Sequence, residues 1–200
     1  NAGEPKTRPM KPEDLFRFQR LADPQISPDG KQVVYAVGKV DMEANRVISS
    51  LWLAPTGEKA GEPKQLTSST KSDRHPRWSP DGKQILFEST RSGSSQIWIV
   101  PAAGGDPMPL TNISTGASTA IWSPDGKKIA FYSNCENEQR DIYVMNRDGS
   151  GREKLTSTKG ENRFPAFSPD GKNITFTSTQ ITKDFINIMN VDGSNQHIVT

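Results

Sequence analysis

Short apolar runs of three or four residues recur along the chain between polar turns, and each is rich in β-branched and aromatic residues. Val33-Val34-Tyr35, Ile85-Leu86-Phe87, Ile129-Ala130-Phe131 and Ile174-Thr175-Phe176 form one set. Leu51-Trp52-Leu53, Ile97-Trp98-Ile99-Val100, Ile142-Tyr143-Val144-Met145 and Ile186-Asn187-Ile188-Met189 form a second. Runs of this composition bounded by turn signals predict strands.

Each run of the first set follows a near-copy of one hexapeptide, Ser27-Pro28-Asp29-Gly30-Lys31-Gln32 and its counterparts at 79–84, 123–128 and 168–173. The copies stand 52, 44 and 45 residues apart. In each, Pro presets φ for the second turn position, Asp tolerates the third, and Gly takes the left-handed conformation that follows. That chemistry predicts a tight hairpin. Pro24-Gln25-Ile26, Pro76-Arg77-Trp78, Ala120-Ile121-Trp122 and Pro165-Ala166-Phe167 supply the strand before it. A second Gly-rich turn follows the third strand (Gly57, Gly104-Gly105, Gly149, Gly193), and Leu66-Thr67, Leu110-Thr111, Leu155-Thr156 and Val199-Thr200 are read as a fourth strand.

Four antiparallel strands per unit, with both faces apolar and a period of about 40 to 50 residues, predict an all-β fold: a β-propeller of four-stranded blades. Four blades are encoded, at 24–67, 76–111, 120–156 and 165–200, as an open arc, a small ring or part of a larger propeller. Residues 1–23 lie outside them. Residues 1–11, Pro-rich and basic, read as a disordered tail, and 13–20 as a short helix with Pro12 suited to its first turn.

The last unit departs from the pattern. The central residue of its third strand is Asn187, where the others have Trp52, Trp98 and Tyr143, and Thr175 stands in place of Val34, Leu86 and Ala130. Alternation is read as putting both substitutions on one face, opposite Ile174/Phe176 and Ile186/Ile188, which makes the fourth blade a candidate capping repeat.

The repeat resembles the TolB-type propeller unit, in segments such as Trp122-Ser123-Pro124-Asp125-Gly126-Lys127 with Asp148-Gly149-Ser150-Gly151. The start, Lys11-Pro12-Glu13-Asp14-Leu15-Phe16-Arg17-Phe18 and Leu21-Ala22-Asp23-Pro24-Gln25-Ile26, is similar to the N-terminal propeller of prolyl-oligopeptidase-family serine peptidases. The TolB resemblance implies a non-catalytic module that binds protein or peptide in the periplasm or another extracytoplasmic compartment. The peptidase resemblance implies an alternative: a substrate-gating propeller whose hydrolase domain is missing. Relatives of the first kind close with about six to eight blades, so self-association to complete a propeller is an expectation.

Composition adds mostly exclusions. The 25 basic and 23 acidic residues leave a net charge of +2, with no basic cluster or readout motif, which argues against nucleic-acid binding. No apolar run approaches the roughly 18 residues of a membrane span. One cysteine, Cys135, permits no intrachain disulfide, and its polar surroundings without a basic neighbour favour an inert loop thiol.

Catalytic chemistry is not encoded in a recognisable form. Serine hydrolysis needs nucleophile, histidine and acid, and no G-x-S-x-G is present. The two histidines, His75 and His197, are placed beside a first strand and in a last one. Asp148-Gly149-Ser150-Gly151 and Asp192-Gly193-Ser194-Asn195 lack the spaced carboxylates of a calcium loop. No metal, cofactor or catalytic residue is therefore assigned. Variable segments on a repeated scaffold are the usual binding surface. Here they are Gly38–Ser50, Arg91–Ser95, Asn134–Arg140 and Thr179–Asp184, so Asp41, Glu43, Arg46, Arg91, Glu138 and Arg140 are the candidate contact residues.

Overall fold

The computed structural model describes residues 8–43, 45–57, 61–136, 139–156 and 160–200, with the backbone alone at Cys135 and Glu136. Among them sixteen strands form four antiparallel sheets, each ordered first to fourth strand. Blade one is β1 (Arg20–Ile26), β2 (Gln32–Asp41), β3 (Arg46–Pro55) and β4 (Lys64–Gln65). Blade two is β5 (Asp73–Trp78), β6 (Gln84–Ser89), β7 (Gln96–Pro101) and β8 (Met108–Pro109). Blade three is β9 (Ala117–Trp122), β10 (Lys128–Glu136), β11 (Gln139–Asn146) and β12 (Glu153–Lys154). Blade four is β13 (Glu161–Phe167), β14 (Asn173–Gln180), β15 (Lys183–Asn190) and β16 (His197–Ile198). The all-β propeller architecture read from the repeat is the one observed.

The hairpin hexapeptide works the same way four times. In the first copy Ser27 Oγ donates to Asp29 Oδ1 at 2.7 Å, and that oxygen also accepts the Lys31 amide at 3.1 Å. Ser27 Oγ accepts the Gln32 amide, and Gly30 sits at φ 73°. These bonds stabilise the ionised carboxylate, so Asp29, Asp125 and Asp170 all titrate below the ordinary aspartate range, chiefly through the serine bond.

Strand boundaries differ from the sequence reading for definable reasons. The first strands begin three or four residues earlier than read, at Arg20, Asp73, Ala117 and Glu161. Each contains a bulge, with a left-handed residue at Asp23 (φ 49°), His75 (54°), Thr119 (49°) or Phe164 (54°). A bulge interrupts alternation, so the pattern breaks where the strand does not. The fourth strands lie ahead of the Leu-Thr pairs, which act as edge clamps. The amides of Leu66 and Thr67 share the Leu51 carbonyl at 2.8 and 3.2 Å, and Thr67 Oγ1 accepts the Leu51 amide at 3.0 Å. Thr111 and Thr156 repeat this on Ile97 and Ile142.

Before the first blade, among the described residues, Pro12–Phe16 form a single 3-10 turn, and not the longer segment read at 13–20. Asp14 fastens it by accepting the Lys11 amide at 2.9 Å and pairing with Arg8 at 2.6 Å. The expected tail falls partly on residues 1–7, which lie outside the described residues.

Core packing is between blades. Val34, Ala36, Leu51 and Leu53 of blade one meet Ile85, Phe87 and Val100 of blade two. Leu86, Ile97 and Ile99 of blade two meet Ile129, Phe131, Tyr143 and Met145 of blade three. Ala130, Ile142 and Val144 of blade three meet Ile174, Phe176 and Met189 of blade four. Full burial of each such aliphatic or aromatic side chain contributes about 1.5–3 kcal/mol.

This arrangement corrects the reading of the fourth blade. Antiparallel partners share a face, and Asn187 pairs with Phe176 while Thr175 pairs with Ile188. Asn187 therefore lies on the inward face toward blade three, 5% exposed, its Nδ2 donating to the Phe185 carbonyl. The outward face carries Thr175, Thr177, Ile186 and Ile188, with Ile186 44% exposed. The substituted positions sit on opposite faces, and the face turned outward is a mixture of threonine and isoleucine.

The β14–β15 turn contains a strained position. Ile181 holds φ 56° with its side chain fully exposed, a conformation that a β-branched residue adopts only at a cost. Ile181→Gly is expected to raise stability by about 1 kcal/mol, measured as a shift in the urea midpoint at constant m. A drop in midpoint would show that the turn draws on the isoleucine side chain.

Candidate functional site: an axial groove

The four first strands converge. Their last residues, with the prolines of the hairpin turns, enclose a groove of about 630 Å3 lined by Gln25, Ile26, Arg77, Trp78, Ile121, Trp122, Ala166 and Phe167 among others. Every blade contributes to it, and its volume falls in the range of about 300–1,000 Å3 usual for ligand sites. Trp78 and Trp122 do two things here. Their rings wall the groove, and their indole N–H groups tie each blade to the one before. Trp78 Nε1 donates to the Gln25 carbonyl at 3.0 Å, and Trp122 Nε1 to the Arg77 carbonyl at 3.2 Å. Phe167 has the aromatic face without the donor. Arg77 Nη1 donates to Asp23 Oδ2 at 2.7 Å, fixing the guanidinium at the groove wall. Ile26, the counterpart of the tryptophans in blade one, is 63% exposed.

At the opposite end of the first strands lies a buried carboxylate that the sequence did not single out. Glu88 is 2% exposed and accepts from the Thr119 amide at 2.6 Å, His75 Nδ1 at 2.9 Å and Arg74 Nε at 3.3 Å. Burial alone would push its pKa up, but the His75 and Thr119 hydrogen bonds and the charges of His75 and Arg74 together hold it below the ordinary glutamate range. His75 and Thr119 are the bulge residues of blades two and three, so Glu88 clamps the two bulges together. The only sequence signal was a charged residue inside an otherwise apolar strand, Phe87-Glu88.

The residues proposed from sequence are placed apart. Gly38–Ser50 is not a loop but an extension of the β2–β3 ribbon, paired from Gln32↔Pro55 to Asp41↔Arg46. Asp41 and Arg46 face each other near its tip, Glu43 is exposed in the turn, and Arg46 Nη2 donates to the Thr70 carbonyl at 3.2 Å. Arg91 belongs to blade two and is consumed internally. It pairs with fully buried Asp73 at 2.5 Å and lies over the Trp98 ring, 4.9 Å from its centroid. Arg140 pairs with Glu161 of blade four at 3.0 Å and covers Tyr132. Glu138 lies outside the described residues. Cys135, read as a loop residue, falls within β10. Among the described residues no group of three His, Cys, Asp or Glu side chains is placed to hold a metal ion, and no helix is long and apolar enough to cross a membrane.

A repeated four-stranded blade, clamped at its edge by Leu-Thr and at its hairpin by Ser-Pro-Asp-Gly, defines a propeller of one kind. Residues 16–200 match the family model described as the TolB beta propeller domain, and the chain belongs to that family. It is 31% identical over 208 aligned residues to the uncharacterized peptidase YuxL of Bacillus subtilis, covering 86% of this chain and 31% of that protein. The solved TolB of Acinetobacter baumannii superposes with a TM-score of 0.66 at 25% identity, covering 85% of this chain and 40% of that one. A puromycin-hydrolyzing peptidase of Mycobacterium tuberculosis reaches a TM-score of 0.73 at 14% identity, a likeness of fold, over 90% of this chain and 28% of that one. The chain thus spans half or less of the length of the curated relatives it matches, and about a third of YuxL.

Proposed function

We propose that this chain is a non-catalytic propeller module that binds a peptide or protein segment, and that it works in an extracytoplasmic compartment as TolB-type propellers do. The observation that carries the reading is the axial groove. Its walls are largely apolar and aromatic, the Trp78 and Trp122 N–H groups and Arg77 Nη1 are already paired, and residues from four blades converge on it. Such a surface favours an extended apolar segment, held by ring contacts and by burial. The hairpin residues Asp41, Glu43 and Arg46, at the other end of the blades, are a second candidate contact.

Capture from a random-peptide phage library, followed by titration of the selected peptides, tests the reading and separates the two surfaces. Ile26→Arg places a charge at the groove mouth, where the wild-type side chain is mostly exposed and the fold has little to lose. It is expected to weaken selected peptides at least about tenfold, the scale of one desolvated charge in an apolar contact, while Arg46→Ala leaves them unchanged. Sensitivity to Arg46→Ala alone would move the site to the hairpin tips and retire the groove.

A second reading draws on the names of the relatives: a propeller that gates a neighbouring hydrolase. Labelling with a fluorophosphonate probe tests whether this chain carries a nucleophile of its own, which neither reading expects. This chain is expected to remain unlabelled, and stoichiometric labelling of one serine would end the non-catalytic reading.

A further inference from the structure

The turn between the third and fourth strands places one residue over the first hairpin of its own blade, at Thr56, Ala102, Arg147 and Val191. Their backbone amides donate identically, to the carbonyls of Lys31, Lys83, Lys127 and Lys172. Of the four, Arg147 alone makes side-chain hydrogen bonds to the preceding blade. Its guanidinium crosses from blade three to blade two, donating to Asp81 Oδ2 from both Nη atoms at 3.2 Å and to Gln84 Oε1 from Nε at 3.2 Å. It lies over the Trp122 ring, 5.4 Å from the centroid. Asp81 is held down to about 2, first by the Ser79 hydroxyl and the Lys83 amide and then by this arginine. The junction of blades two and three is thus a filled guanidinium slot.

The corresponding junction of blades three and four is unfilled. Val191 replaces the arginine, and a pocket of about 640 Å3 opens between Asp125, Lys128, Val144, Glu153, Asp170 and Asp192. Asp125 is the counterpart of Asp81, with the same Ser123 and Lys127 bonds to its Oδ1. Its Oδ2, the atom that in Asp81 receives the arginine, has among the described residues only the Lys127 ammonium at 3.9 Å. Lys128 stands where Gln84 does, its Nζ donating to Asn146 Oδ1 at 2.8 Å. Four acidic residues, Asp125, Glu153, Asp170 and Asp192, and one lysine, Lys128, line the pocket, and Val144 and Val191 supply an apolar wall for an alkyl stem. Of the groups that hold Arg147, the open slot keeps the carboxylate, Asp125, while Lys128 stands in the place of Gln84 and no aromatic ring is among its described lining residues.

We propose that the pocket between blades three and four is a binding site for an arginine side chain of a partner polypeptide, with Asp125 Oδ2 as its principal acceptor. A guanidinium is preferred over an ammonium because its flat fork gives two N–H bonds to one carboxylate, as Arg147 does to Asp81 in the sister slot. Lys128 limits affinity by like-charge repulsion. The pocket meets the axial groove only at Ser123 and Pro124, so failure of either site leaves the other standing.

The test titrates the full chain with Nα-acetyl-L-arginine amide, following amide resonances around Val144 and Val191. The uncharged isostere Nα-acetyl-L-citrulline amide is the control. Arginine amide is expected to bind and citrulline amide to bind at least about tenfold more weakly, the difference one charge-assisted pair makes. Lys128→Gln, which restores the acceptor of the sister slot, should tighten binding severalfold, and Val191→Arg should abolish it by filling the pocket from within. Should Val191→Arg fail to fold, Arg147→Ala supplies the converse: it empties the sister slot and should create a second site for the same probe. Equal binding of citrulline amide, binding that survives Val191→Arg, or no binding by either wild type or Lys128→Gln would overturn the proposal.

Discussion

Phe131→Ala is expected to lower the free energy of unfolding by about 3–5 kcal/mol, the range for deleting a buried ring that its surroundings cannot refill. Phe131 has no exposed surface, stacks on Tyr143 with ring centroids 5.7 Å apart, and sits in the middle of the junction between blades two and three. Phe87, 1% exposed at the same position of blade two, should behave alike, because each ring is the centre of one inter-blade core. Denaturant titration of both variants checks this. A loss below 1 kcal/mol at both would mean that the blades are not packed face to face as described.

The second large effect concerns Glu88. Glu88→Ala removes the acceptor of the Thr119 amide, His75 and Arg74 together, and an expected loss of about 2–4 kcal/mol follows. The value stays below that of a fully buried pair because Arg74 and His75 are about half exposed and regain water. Glu88 titrates below its ordinary value near 4.5 when folded. Its contribution is therefore complete above that pH and is lost as the pH falls through the lower, folded value. Acid unfolding of the wild type should steepen below about pH 4.5 relative to Glu88→Gln, which keeps the amide contact and lacks the titration. Parallel acid-unfolding curves would remove Glu88 as the inter-blade clamp.

Repetition made most of the fold legible. A turn that needs Pro, Asp and Gly in fixed order announces itself four times, and apolar runs on either side of it leave few alternatives to a hairpin. The errors were in places where local pattern and pairing part company. A bulge with left-handed Asp23, His75, Thr119 or Phe164 ends the alternation without ending the strand, so first strands were read short. Alternation along each strand is read as putting Asn187 and Thr175 on one face, yet faces follow cross-strand partners, and theirs are Phe176 and Ile188.

The candidate sites were less legible. Arg91 and Arg140 looked like free loop charges, but each finds an acid and a ring inside the fold, at Asp73 with Trp98 and at Glu161 with Tyr132. The importance of Glu88 and Arg147 depends on residues about 31 and 63 positions away, distances over which no spacing rule operates.

The sequence by itself determined the blade: its turns, its strand order and its apolar faces are local matters, settled by φ preferences and alternation within some 40 residues. Only the tertiary structure decided what lies between blades. The axial groove, the Glu88 clamp and the contrast between a slot filled by Arg147 and one left open by Val191 arise where separate repeats meet. Those junctions depend on how sheets stack, and a single substituted side chain then decides whether a junction is closed or available.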